Sequence, residues 1–295
     1  MKNEIRILLI LIFVSANNLN AQKKEKEYAE DVYSGTQLIN NQTTQLIQPK
    51  SWSFELQHRF GKVGLDSSIM QQMLGIDLPA VIRFAFGWSL SDKMYFEIGR
   101  TNHLKTIDIE AKYLITKQTK DKSMPVSIAA YFNSSIQTDK FPALPSKAYF
   151  EDDTTPFKYK PSHRLAYNTQ FVISSKINEK LSVQLNPIFI YRNLAPAYTD
   201  NFTLVLASGL RYKLGLSTAL IAEYAHIFNN RGDEFFNPMS LGIEFGTAGH
   251  TFQLFLSNSS KILESHIYTA SSINMGEGNF LIGFNMQRTF WKKNN

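Results

Sequence analysis

The sequence has no cysteine, which excludes disulfides, thiolate chemistry and lipidation at a cysteine. It has no apolar run suited to a helical span either. Ile7–Val14 falls far short of the roughly 20 residues a bilayer requires. Linear catalytic signatures are missing as well. The six histidines are His58, His103, His163, His226, His250 and His266, and none has a second ligand at i+4. There is no Gly-x-Ser-x-Gly elbow, phosphate-binding glycine loop or calcium loop, and no metal or cofactor is expected. Basic residues are spread out rather than clustered, which speaks against nucleic acid.

The N-terminus carries Lys2 and Arg6, the apolar run, and then Leu19-Asn20-Ala21 before Gln22. This order predicts a cleavable signal peptide over residues 1–21 and therefore export. Losing Lys2, Glu4 and Arg6 lowers the formal charge from +6 to about +5, a weak imbalance. Residues 22–50 form a separate N-terminal segment. Gln22–Asp31 is a charged run with little to bury. Val32–Pro49 mixes Tyr33, Leu38, Ile39 and Ile47 with Gln, Asn and Thr. Two placements fit it: a partial plug at the barrel mouth or lumen, and a loosely ordered periplasmic lead-in.

From residue 51 to 291 the chain alternates apolar and polar residues with period two, the signature of strands with two unlike faces. Twelve segments are expected: Ser51–Phe60, Pro79–Leu90, Lys93–Arg100, Thr106–Thr116, Met124–Gln137, Ser162–Lys176, Leu181–Arg192, Phe202–Lys213, Thr218–Phe228, Met239–Phe245, Thr251–Ser257 and Asn279–Trp291. In the last, Phe280, Ile282, Phe284 and Met286 oppose Gly283, Asn285 and Gln287. Behind an export signal, this pattern predicts an all-β, antiparallel up-and-down transmembrane barrel with lipid outside and polar side chains inside. A short tail, 292–295, follows.

Short connections such as Ser91-Asp92 and Ile177–Lys180 alternate with long ones such as Gly61–Leu78, Thr138–Pro161 and Asn258–Gly278. Short periplasmic turns and long extracellular loops are the outer-membrane arrangement. Trp52, Trp88, Tyr113, Tyr212 and Phe290 then fall near the periplasmic rim, and Phe60, Tyr191 and Phe228 near the outer one. Pro187 lies inside a strand, where a closed sheet predicts either a bulge at Asn186-Pro187 or a strand placed elsewhere.

The inward parity gathers the candidate site. Arg59, Arg83, Lys112, Arg164, Arg192, Arg211 and Lys213 share the lumen with Glu55, Glu97, Asp108, Glu110, Glu223 and Glu244. Nearly balanced signs predict ladders of ion pairs rather than a selective filter of one sign. The lumen is then either a narrow pathway for small polar solutes or a space closed by its own salt bridges. His58 and His226 lie on the lipid-facing parity, where a barrel hydrolase would place a histidine; an interfacial role is the simpler account. Glu151-Asp152-Asp153 reads as a solvated acidic run in a polar loop.

Five stretches carry a family resemblance: Tyr33-Ser-Gly-Thr-Gln-Leu-Ile-Asn40, Phe54-Glu-Leu-Gln-His-Arg-Phe-Gly61, Met124-Pro-Val126, Arg192-Asn-Leu-Ala-Pro196 and Gly249-His-Thr-Phe-Gln-Leu-Phe-Leu-Ser-Asn258. In this order they resemble an uncharacterised family of exported bacterial β-barrels. The resemblance implies a membrane barrel and supplies no activity or site residues. The expectation is a non-enzymatic barrel in the outer membrane of a Gram-negative bacterium, inserted by the barrel assembly machinery. Its partners are outer-membrane lipid and either a small polar solute or a partner bound by the long loops Thr138–Pro161 and Asn258–Gly278. A hydrolase is the third alternative.

Overall fold

A strand that is apolar on one face and polar on the other needs two different media, and its backbone needs a neighbour on each edge. Closing an antiparallel sheet on itself supplies both. A computed structural model describes residues 26–66, 68–150, 152, 154–196, 199–229 and 234–291. The signal peptide 1–21, Lys23, Lys24 and Glu25 of the charged run, Glu151 and Asp153 of the acidic triplet, and the tail 292–295 lie outside the described residues.

Twelve long strands form the wall: β1 Trp52–Arg59, β2 Val81–Ser89, β3 Met94–Thr101, β4 Thr106–Thr116, β5 Ser127–Gln137, β6 Leu165–Lys176, β7 Leu181–Arg192, β8 Phe202–Lys213, β9 Thr218–Ile227, β10 Met239–Gly246, β11 His250–Ser257 and β12 Asn279–Phe290. Each pairs antiparallel with the next, and β12 pairs back onto β1 from Trp52↔Phe290 to Arg59↔Gly283. The barrel is closed. Val63–Gly64 adds a brief pairing against Asn279 and Phe280, so the sheet rises higher beside β12.

Two expected strand starts are corrected. Pro125 offers no N–H to a ladder, so β5 begins at Ser127 rather than Met124. Residues Pro161–Arg164 form a 3-10 turn, and β6 begins only at Leu165. The expected bulge at Asn186-Pro187 is absent too. Pro187 pairs in register with Leu206 of β8, and on the β6 side the ladder opens between Gln170↔Ile188 and Ile173↔Leu185 without a shift. The missing N–H therefore faces a gap in the ladder. The register shift lies elsewhere, between Leu114 and Thr116 in the β4–β5 pair.

The parity assignment places each face in its own medium. Phe84, Ile109 and Leu241 point outward and are about half exposed, while Arg83 and Asp108 are buried. Trp52 lies between Trp88 and Phe290 in register and stacks on Phe290 at 4.0 Å. At the other rim Tyr167, Tyr191 and Phe202 are neighbours. Aromatics at both rims suit the two membrane–water boundaries.

The interior is occupied from both ends. The chain before β1 enters from the side of the short turns and reverses at its tip, where Leu38 N–H donates to the Asn41 carbonyl (2.9 Å) and Thr43 N–H to that of Thr36 (2.9 Å). Leu38 and Ile39 at the tip are fully buried. From the opposite side the connection 258–278 folds inward, burying Ile262, Leu263, the helical turn Glu264–Ile267 and Tyr268. Tyr268 Oη donates to Asn41 Oδ1 at 2.5 Å, so the two intrusions meet. The expectation that Asn258–Gly278 is a free extracellular loop is corrected on this point: its apolar Ile262, Leu263 and Ile267 leave water for the lumen.

Candidate functional site in the barrel interior

Arg83 of β2 organises the charged wall. Its guanidinium meets Asp108 at 2.5 Å, Glu110 at 2.8 Å and Glu97 at 2.9 Å. Neighbouring registers bring these groups together: Glu97 opposes Glu110 across β3–β4, and Gly99 opposes Asp108. Gly99 leaves room for the arrangement, since a Cβ there would come within 2.5 Å of Arg83 Nη2. Tyr95 Oη donates to Glu97 at 2.5 Å, and Gln57 Oε1 accepts from Arg83 at 3.2 Å. Three carboxylates thus share one buried cation, with the Tyr95 hydroxyl as a neutral donor to Glu97 and the Gln57 amide oxygen as a neutral acceptor for Arg83.

The other inward charges bond mainly to the N-terminal segment. Glu55 accepts from Thr36 Oγ1 at 2.8 Å and from Gln287 at 2.6 Å. Lys112 Nζ donates to the Thr36 carbonyl at 2.7 Å. Arg59 donates to Asn40 Oδ1 (3.1 Å) and Asn285 Oδ1 (2.8 Å), and lies over the Phe255 ring at 4.5 Å. Glu223 accepts the backbone N–H groups of Asn40 and Asn41 at 2.8–3.0 Å, plus the Asn40 amide at 3.1 Å. Arg211 pairs with Glu244 at 2.7 Å and donates to Ser34 Oγ at 2.8 Å, while Lys213 pairs with Asp31.

Among the described residues the ion pairs do not run on into continuous ladders. Arg164 donates to the carbonyls of Gln137 and Asp139 and covers the Phe141 ring at 3.9 Å. Arg192 donates to Thr199 Oγ1 at 3.2 Å. Among the described residues neither is in a salt bridge, and Glu223 is not either. Both arginines lie near the loop-side rim, where loop acceptors, carbonyls for Arg164 and the Thr199 hydroxyl for Arg192, are closer than the wall carboxylates.

The partners that sequence reasoning missed belong to the irregular segment: Ser34, Thr36, Gln37, Asn40, Asn41 and Gln42. Gln184 and Asn186 both donate to the Gln42 carbonyl at 3.0 Å. Apolar packing completes the fit. Val32, Tyr33, Leu38 and Ile39 cluster with Ile221 and Phe255, and Ile267 and Tyr268 cluster with Ile188, Ile190, Val205 and Ile227. Clefts of about 280 and 380 Å³ flank the segment at the short-turn end, beside Leu46 and Ser127 and beside Ser34 and Arg211, while two gaps deeper against the wall, one beside Gln37 and Glu55 and one beside Asn40 and Glu223, measure about 20 and 10 Å³. Each of the two gaps is about the size of one water.

At the loop-side mouth His103 and His266 meet edge to face with ring centroids 5.0 Å apart, and Lys261 Nζ approaches His103 Nδ1 at 3.5 Å. Burial and neighbouring cations lower both imidazoles, His103 to about 4 and His266 to about 3. On the lipid face His58 stacks on Phe284 at 5.2 Å. Ser208 Oγ donates to the Tyr224 carbonyl at 3.1 Å and not to His226, so no Ser–His relay is formed there. In the acidic loop the Asp152 carboxylate is taken up by Thr154 and Thr155.

Several solved barrels resemble this one in outline. The KdgM porin aligns with a TM-score of 0.47 at 9% identity, covering 81% of this chain and 99% of that one. The NanC porin gives 0.46 at 5%, with 81% and 99% covered. The COG4313 outer membrane channel from Pseudomonas putida F1 gives 0.48 at 12%, with 84% and 98% covered. Among curated proteins none matches the sequence. Residues 33–290 match the membrane bound beta barrel domain (DUF5777), as the order of the five stretches implied, and the chain belongs to that family.

Proposed function

We propose that this protein is a non-enzymatic outer-membrane barrel whose polar lumen is held shut at rest by its own N-terminal segment. One observation carries the reading. The backbone carbonyls of Ser34, Thr36, Gln37, Ile39 and Gln42 each accept a hydrogen bond from a wall side chain, namely Thr251, Lys112, Gln253, Asn285 and the Gln184–Asn186 pair. An irregular segment held in this way has these carbonyls satisfied by the wall, and its removal would leave those wall donors without their partners. With the lumen closed, the protein acts through its lipid-facing and loop surfaces, Thr138–Pro161 foremost.

A second reading is favoured by the wall. Glu55, Arg59, Lys112, Glu223 and Glu244 are charged groups that would line a wet pathway for small polar solutes once the segment withdrew. Planar-bilayer recording of the mature chain tests the first reading. A quiet, inserted protein is expected. A steady ohmic conductance in every insertion would favour the open pathway and overturn the closed one.

A further inference from the structure

The connection between β1 and β2 carries an apolar surface that neither the wall nor the lumen uses. Met70 is 78% exposed, Leu65 75% and Met73 62%, more than outward wall residues such as Leu241, and Ile76 at 54% is comparable to them. From Ile69 to Ile82 the only charged residue is Asp77. A loop facing bulk water would not expose this much contiguous apolar surface. The loop Thr138–Arg164, by contrast, spreads Lys140, Lys147, Lys158 and Lys160 along its length.

The loop is also built rather than loose. Gly61 N–H donates to the Gly75 carbonyl at 3.1 Å, and Leu65 N–H to that of Gly278 at 3.0 Å. A Cβ on Gly75 would come within 2.4 Å of the Gly61 carbonyl oxygen, so the turn is clamped onto the end of β1. Met73 and Leu74 are both held at positive φ, 47° and 59°, a region that bulky side chains seldom adopt. The loop runs straight into the lipid belt: the chain passes from exposed Ile76 through a turn to Ile82, which belongs to the outward face of β2, where it is the register partner of His58.

We infer that the β1–β2 loop is an interfacial anchor that seats Met70, Met73 and Ile76 at the headgroup–acyl boundary of the leaflet on the loop side. Apolar groups continuous with the belt gain by leaving water there, and Asp77 can stay among the headgroups. The inference rests on the barrel being embedded in a bilayer, whichever state its lumen adopts.

The cysteine-free chain allows a direct test. Single variants Met70→Cys, Ile76→Cys, Phe84→Cys and Leu144→Cys, each carrying a nitroxide, are reconstituted in phosphatidylcholine vesicles. Collision with oxygen and with a water-soluble nickel chelate is then measured. Met70→Cys and Ile76→Cys should favour oxygen several-fold over Leu144→Cys and approach Phe84→Cys. Nickel access equal to Leu144→Cys, with Phe84→Cys shielded, overturns the anchor while leaving the barrel embedded. Labels shielded from both reagents would mean a protein surface covers the loop, which overturns it as well. Nickel access at Phe84→Cys would overturn the embedding itself.

Discussion

The Glu223 carboxylate accepts the backbone N–H of Asn41 at 2.8 Å, joining the wall of the barrel to the tip of the segment inside it. A carboxylate that accepts from two successive peptide groups can hold a turn that has no regular structure of its own. Glu223→Gln replaces one acceptor oxygen with a donor and removes the charge. The expected loss is about 1.5–3 kcal/mol, the range for hydrogen bonds to a charged group. Thermal unfolding in detergent measures it, and intermittent conductance should appear in the same variant. An unchanged melting temperature would mean that Glu223 does not hold the tip.

Arg83 is the one cation in salt-bridge contact with Glu97, Asp108 and Glu110 among the described residues. Arg83→Met keeps much of the volume and leaves three carboxylates facing each other. Breaking a buried pair by removing one partner costs about 3–5 kcal/mol. Urea titration of refolding into vesicles reads this directly. A loss below that of Glu223→Gln would show that the cluster is wetter than its burial implies.

Phe284 lies in the middle of β12 on the lipid face, stacked on His58. Phe284→Arg should cost about 2–4 kcal/mol if the residue sits at the bilayer midplane. The next residue inward is no neutral control. Asn285 bonds to Arg59, Gln253 and the Ile39 carbonyl, so Asn285→Arg sets two cations side by side and should also destabilise. Refolding titrations of the two variants check both expectations, and a neutral Phe284→Arg would contradict the outward assignment.

The His103–His266 pair predicts an acid sensitivity with a defined sign. The groups facing it are Lys261 from the same loop, Arg192 from β7 and the Gln137 amide from β5. Folding lowers His103 to about 4 and His266 to about 3, from about 6.5 in an unfolded chain. The unfolded chain therefore takes up protons first as pH falls. Stability from this pair is fully present above about pH 6.5 and is lost progressively as pH drops towards 4. Melting temperatures between pH 7.5 and 4.5 should fall more steeply in wild type than in His103→Gln/His266→Gln. Parallel slopes would remove the pair from the account.

Much of the wall was legible because side-chain alternation is a local property. Arg83, Glu97, Asp108 and Glu110 could be assigned inward from parity alone, and the spans of β4, β7 and β8 from where parity stops. For Val32–Pro49 the sequence left a partial plug and a loosely ordered lead-in both open, and its contacts in the lumen were not legible. Ser34–Gln42 has no period, and its partners Glu223, Gln253 and Asn285 lie far along the chain, so nothing local marks the contacts. The run Asn40-Asn41-Gln42-Thr43-Thr44 was the available hint: so many short polar groups are costly to bury unless a polar surface receives them. Apolar residues on the inward parity, such as Ile188, Ile190 and Phe255, were a second hint that the lumen is filled. Arg164 and Arg192 misled because their nearest acceptors lie at the loop-side end, the Gln137 and Asp139 carbonyls and the Thr199 hydroxyl, which parity does not reveal.

Residues 32–47 lie inside the barrel against its wall, and this is what the closed lumen depends on. Thr44 Oγ1 and Ser174 Oγ are 2.5 Å apart, one on the segment and one on β6. In a chain without other cysteines, Thr44→Cys/Ser174→Cys offers an unambiguous readout. Mild oxidation of the folded protein in vesicles should join the two positions rapidly and almost completely, seen as a mobility shift that reductant reverses. If the pair stays reduced, and Thr44→Cys alone reacts freely with a bulky membrane-impermeant maleimide, the segment is outside the lumen and the closed lumen is wrong.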